Sequence, residues 1–127
     1  MGFSLHAKKP DTKALLAEAR AEFFTGNYSY AASIFEKLDS LDSDKTKYDY
    51  LLGVCYLFQH KNQQAQIHLT NAAKRKDSPI QVFYFLGKAD HYNHKFDEAI
   101  VDFNFYKDTL KKVQATGRKL KDEQLHT

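Results

Sequence analysis

The sequence predicts an all-α fold, three helix-turn-helix pairs stacked in series and followed by a C-terminal helix. Ala31, Ala65 and Ala99 stand 34 residues apart, and their neighbours move with them: Leu52 falls on Leu86, Gly53 on Gly87 with Ala19 before them, and Phe35 on Leu69 on Phe103. Small residues recur in a second register at Ala21, Cys55 and Ala89, while Tyr28 falls on Asn62 and Phe96. A period of this length, with small residues at fixed points and large apolar ones between, belongs to paired-helix units that cannot bury their apolar faces singly and must stack. No segment shows the two-residue alternation of a strand.

Each element follows from local signals. Pro10-Asp11 precedes an apolar pattern at Leu15, Leu16, Ala19 and Phe23, so Asp11 is placed to cap a first helix that ends at Gly26. Gly26-Asn27 supplies a left-handed turn, and Tyr28 to Leu38 returns with Ala31, Ala32, Ile34, Phe35 and Leu38 inward. The polar run Asp39 to Lys45 interrupts before Lys47 to Phe58 resumes the pattern; the chain turns at His60-Lys61 and returns with Ala65, Ile67, Leu69, Ala72 and Ala73. Asp77-Ser78-Pro79 reads as the start of the next helix, Ile80 to Tyr92, because proline is tolerated in a first turn. Its partner runs from Phe96 to about Lys112. Val113, Leu120 and Leu125 then predict a further amphipathic helix, interrupted or bent near Thr116-Gly117.

The domain plan is a flexible segment at 1–11, one repeat domain at 12–113 divided as 12–45, 46–79 and 80–113, and a capping helix or tail at 114–127. At 127 residues no second domain fits. Apolar residues at 43% and charged residues at 28% can form a core. Nineteen basic against sixteen acidic residues, net +3, is too mild a balance to demand nucleic acid, although Lys107, Lys111, Lys112, Arg118, Lys119 and Lys121 concentrate charge in the tail. One cysteine excludes an internal disulfide, no run reaches the length of a membrane span, and Met1 to Ala7 lacks a leader pattern. Met1-Gly2 also misses the acylation pattern, since His6 stands where Ser or Thr is required.

The third copy carries the motif most completely: Phe83, Leu86-Gly87, Ala89, then Phe96-Asp97-Glu98-Ala99-Ile100 and Phe103. It resembles the tetratricopeptide repeat family, and the match extends over roughly residues 12 to 113. Gly87 and Ala99 belong where the two helices cross, because only small side chains let the backbones approach, while Phe83, Leu86, Phe96 and Phe103 fill the surroundings. Asp49 and Asn62 depart from the motif where Phe83 and Phe96 satisfy it, and His60 and His94 replace the turn glycine. Histidine tolerates the left-handed region better than branched residues do.

The resemblance implies a right-handed solenoid that binds another protein through a concave groove lined by the first helix of each pair. Carried across by alignment, the groove residues are Lys13, Leu16, Arg20 and Phe24, then Lys47, Tyr50, Val54 and Phe58, then Gln81, Tyr84, Lys88, His91 and Tyr92. This aromatic and basic lining fits an extended peptide or helix of acidic and apolar character. The carboxylate clamp of the family's chaperone-binding members is not matched, since Leu16, Leu51, Gln81 and Phe85 occupy four of its five places. Tyr84 to Ala89 with Lys95 to Ile100 and Tyr106-Lys107 also resembles repeat segments of bacterial outer-membrane-associated proteins, which implies a piece of a longer envelope protein in the periplasm, with the cytoplasm as the alternative.

Enzymatic chemistry has no motif here: there is no phosphate loop and no supported Ser, His and Asp set. Cys55 shares a register with Ala21 and Ala89 and is expected to be a buried small residue. His91 and His94 with Asp90 lack the further ligands of a metal site, so no cofactor or metal is expected. A self-associating or spacer role through Val113 to Leu125 would give a homodimer lost when Leu120 and Leu125 become polar. A nucleic-acid role through the tail lysines with Tyr84 and Tyr92 would give steep salt dependence. The dissimilar residues Arg20, Val54 and Lys88 at corresponding places argue against base-by-base reading.

Overall fold

Asp11 caps the first helix, its Oδ1 accepting a hydrogen bond from the Ala14 amide at 3.1 Å. The computed structural model describes residues 11–44 and 46–125, with side chains through residue 119, so the segment expected to be flexible lies outside the described residues except for Asp11. Among the described residues the elements are α1 (Thr12–Phe24), α2 (Tyr28–Leu41), α3 (Asp49–Phe58), α4 (Asn62–Ala73), α5 (Gln81–Tyr92) and α6 (Phe96–Leu125). They pack as sequential antiparallel pairs, α1 on α2, α3 on α4 and α5 on α6, with α2 meeting α3 and α4 meeting α5.

The turns inside the three pairs share one geometry. Gly26, His60 and His94 all have positive φ, at 86°, 60° and 62°. The amide after each reaches back across the turn, Asn27 to the Glu22 carbonyl, Lys61 to Tyr56 and Lys95 to Asp90, at 2.9, 2.9 and 2.8 Å. The amides of Gly26, His60 and His94 themselves donate to the carbonyls three residues earlier. This closes a helix C-terminus by the paired bonds that satisfy its orphan carbonyls, and it requires a left-handed residue at that point. Gly26 meets the requirement freely; the two histidines meet it under strain.

Close packing at the crossings explains the other small residues. A methyl group on Gly53 would lie 2.5 Å from Cγ of Leu69, and one on Gly87 would lie 2.7 Å from the ring of Phe103. Each glycine therefore receives the large residue of the helix paired with its own. Ala19, Ala31, Phe35, Leu52, Cys55, Ala65, Leu69 and Ala89 are buried with them in one continuous core. Burial pushes the Cys55 thiol up to about 12, so it is protonated at neutral pH.

Polar groups also enter this interior. Asp49 is buried and its Oδ1 lies 2.6 Å from Nδ1 of His68 across the α3–α4 interface, while the Tyr56 hydroxyl donates to Glu36 of α2. Asp90 of α5 is likewise buried. Asp102 of α6 is pushed up to about 7 by its burial, by a hydrogen bond with Asp90, and by the charges of Asp90 and Glu98.

Several expectations are corrected. Ala21 is exposed although Cys55 and Ala89 are buried, because among the described residues no other helix covers that face of α1. Ile67 is exposed, and Phe96, expected to fill the crossing, keeps 50% of its surface open. Ser78 does not start α5: its hydroxyl donates to the Ala72 carbonyl at 2.6 Å and closes α4, while Asp77 binds Arg75. α6 does not break at Thr116-Gly117. It is one helix of 30 residues, in which the Thr116 hydroxyl donates to the Lys112 carbonyl and the separate final helix does not exist. An isolated glycine costs a helix only about 1 kcal/mol, too little to interrupt it.

Candidate partner-binding cleft

A concavity of about 390 Å³ lies between α1, α3 and the connection from α4 to α5. α1 contributes Arg20, Phe23 and Phe24; the start of α3 and the turn ahead of it contribute Thr46, Lys47, Tyr50 and Leu51; the connection contributes Arg75, Asp77, Ser78 and Pro79. Helical spacing produces this convergence. Arg20, Phe23 and Phe24 share one flank of α1, and Lys47, Tyr50 and Leu51 do so on the segment leading into α3.

Its cations differ in availability. Arg75 grips Asp77 with two parallel bonds of 2.8 Å and also donates to Asp44 at 2.7 Å and to the Thr46 hydroxyl at 2.8 Å. These bonds raise the Arg75 guanidinium and hold the Asp77 and Asp44 carboxyls below their ordinary range. Arg75 thus clamps the α2–α3 loop to the α4–α5 connection and shapes the wall of the cleft. Lys47 lies 3.3 Å from Asp42 in an exposed, exchangeable pair. Arg20 forms no ion pair among the described residues and is exposed at the mouth.

Of the residues predicted to line a groove, Arg20, Phe24, Lys47 and Tyr50 meet in this cleft. Lys88, His91 and Tyr92 meet at a smaller concavity beside Phe103. Phe58 stacks on Tyr28 at 4.5 Å and also meets Phe85, which bridges it to Tyr50 and Tyr84. Tyr84 leans on Phe103 and Tyr106 of α6 with Lys88 over its ring, so it serves the α5–α6 seam and is only partly available. Lys13 and Gln81 are exposed and Leu16 is half-buried, none of them in the cleft. Val54 is the correction: at 1% exposure it lies in the core, because α3 is enclosed by α2, α4 and α5.

The sequence reading missed Arg75 and Asp77. Their spacing of two residues is no helical pair, and the third member, Asp44, lies 31 residues away, so only the fold unites them. His91 and His94 each lie edge-on to the Phe96 ring, at 5.4 and 5.8 Å. No group of three metal-ligating side chains occurs among the described residues, and no helix among them is long and apolar enough to cross a membrane. No protein-family model and no curated protein sequence matches this chain.

Proposed function

We propose that this chain is a non-enzymatic, tetratricopeptide-type repeat module that binds a partner's extended peptide or helix in the cleft between α1, α3 and the α4–α5 connection. The observation that carries the reading is the convergence of Arg20, Phe24, Lys47 and Tyr50 on one concavity. The repeat assignment is supported by three left-handed turn residues at 34-residue spacing, each with the same closing bonds. Tyr and Arg anchor interfaces well because they join a large contact area to directional bonds. The partner is expected to be acidic with one or two apolar anchors: Arg20 takes a carboxylate, Lys47 exchanges Asp42 for it, and Phe24 and Tyr50 flank the apolar group.

Selection from a displayed library of random peptides tests this. The expected result is enrichment of acidic sequences with an apolar anchor, and loss of about two orders of magnitude in affinity in an Arg20→Ala, Tyr50→Ala variant that keeps its helical circular dichroism. Equal binding by the variant and the parent, or no enrichment, refutes the cleft as the binding surface.

A further inference from the structure

The contacts between successive pairs leave their two halves exposed at the two ends of the molecule. Tyr28 at the start of α2 stacks on Phe58 at the end of α3, 4.5 Å apart and within 10° of parallel. Thirty-four residues on from Tyr28 and on again stands Phe96 at the start of α6, and thirty-four residues before Phe58 stands Phe24 at the end of α1. Among the described residues neither has such a stacking partner on a neighbouring pair. Phe24 is 82% exposed, the most open of the large apolar side chains among the described residues, and Phe96 is 50% exposed.

The surroundings of the two rings match in size and charge. On α1 the face that no other helix covers among the described residues carries the exposed alanines Ala14, Ala17 and Ala21, with Glu18 and the half-buried Glu22 beside them. On α6 the flank that no other helix covers among the described residues carries Ile100, 58% exposed, with Lys107 and Lys111 beyond it in the same row. Neither glutamate and neither lysine takes part in an ion pair among the described residues. Small residues opposite large ones, and acid opposite base, make the two ends complementary to each other and not each to itself.

We infer that the chain self-associates head to tail, α1 of one copy packing on α6 of the next as α3 packs on α2, with Phe24 of the incoming copy over Phe96 and its alanines over Ile100. An interface between two different surfaces leaves one of each free in every pair, so the product is a head-to-tail series of copies, open or closed into a ring, rather than a symmetric dimer. The inference rests on the register of the observed contacts; it shares Phe24 with the cleft, whereas Ile100 lies outside the cleft, so the Ile100 substitution separates failure of this inference from failure of the cleft reading.

Sedimentation velocity on the full chain, from about 10 µM to about 1 mM, covers the range in which a weak interface associates. The expected result is a weight-average mass that grows past the dimer with concentration, and monomers for Phe24→Glu and for Ile100→Glu alone. Each variant spoils one end only, so an equimolar mixture regains one good contact and yields a capped one-to-one heterodimer. Both positions are exposed, and unchanged circular dichroism certifies the variants. A wild-type chain monomeric throughout, a mixture that stays monomeric, or a discrete dimer that survives both substitutions and is lost in Val113→Lys overturns the inference.

Discussion

Replacing His60 by glycine should stabilise this protein although it deletes a side chain. A non-glycine residue in the left-handed region costs about 1–2 kcal/mol, and His60, at φ 60°, makes no side-chain hydrogen bond, ion pair or ring contact among the described residues that glycine would forfeit. Against that gain stands the extra freedom of glycine in the unfolded chain, about 0.5–1 kcal/mol. The net is a stabilisation of about 0.5–1 kcal/mol, or roughly 2–4 °C in melting temperature for a chain of this size. His94→Gly surrenders the edge-on contact with Phe96 at 5.8 Å, and an exposed aromatic contact of about 0.5 kcal/mol brings its net gain close to zero. Gly26→Ala is the mirror experiment. No atom lies within 4 Å of the added methyl, so its loss of about 1 kcal/mol comes from the backbone alone. Urea unfolding followed by circular dichroism, with the denaturant slope held constant, measures all three. A His60→Gly variant less stable than the parent, or a neutral Gly26→Ala, would refute the account of these turns.

Four further outcomes follow from the packing and the buried charges. Gly53→Ala should destabilise by about 1–2 kcal/mol, because its methyl collides with Leu69 at 2.5 Å and the helical preference of alanine offsets only part of the overpacking. Gly117→Ala meets nothing within 4 Å, so the same substitution there should raise the helical signal of α6 and add up to about 1 kcal/mol. His68→Ala should cost about 2 kcal/mol in chemical denaturation by leaving the buried Asp49 carboxylate without its partner. Asp102, pushed up to about 7, contributes stability that is complete below its ordinary range near pH 4 and is lost as pH rises through 7. The melting temperature should therefore fall between about pH 4 and pH 7 and level off above that, and Asp102→Asn should flatten that slope.

The 34-residue register made the order of helices, the buried small positions and the three turns legible in the sequence. Ala31, Phe35, Cys55, Leu69 and Ala89 are buried where periodicity placed them, and the two histidines stand in the left-handed geometry inferred from their alignment with Gly26. What escaped depends on which neighbour exists. Ala21 and Phe96 occupy positions of the pattern that are covered only by a helix of a neighbouring pair, and among the described residues none lies over them. Val54 was assigned to a surface by alignment, yet its helix is surrounded on more sides than α1. In the cleft, four of the eleven lining residues, Arg20, Phe24, Lys47 and Tyr50, are named by alignment; the wall built on Arg75 joins residues from two loops, and no local pattern announces it. The break expected at Gly117 failed because a single glycine has too little energy to stop a long helix.

The chain's single thiol offers a clock for internal motion. Cys55 is fully buried at the middle of α3, with its thiolate suppressed by burial, so a thiol reagent can reach it only while α3 is lifted from α2 and α4. Its labelling rate reports how often the central layer of the molecule opens, and comparing that rate with global unfolding tells whether the middle pair separates alone or only with the whole stack.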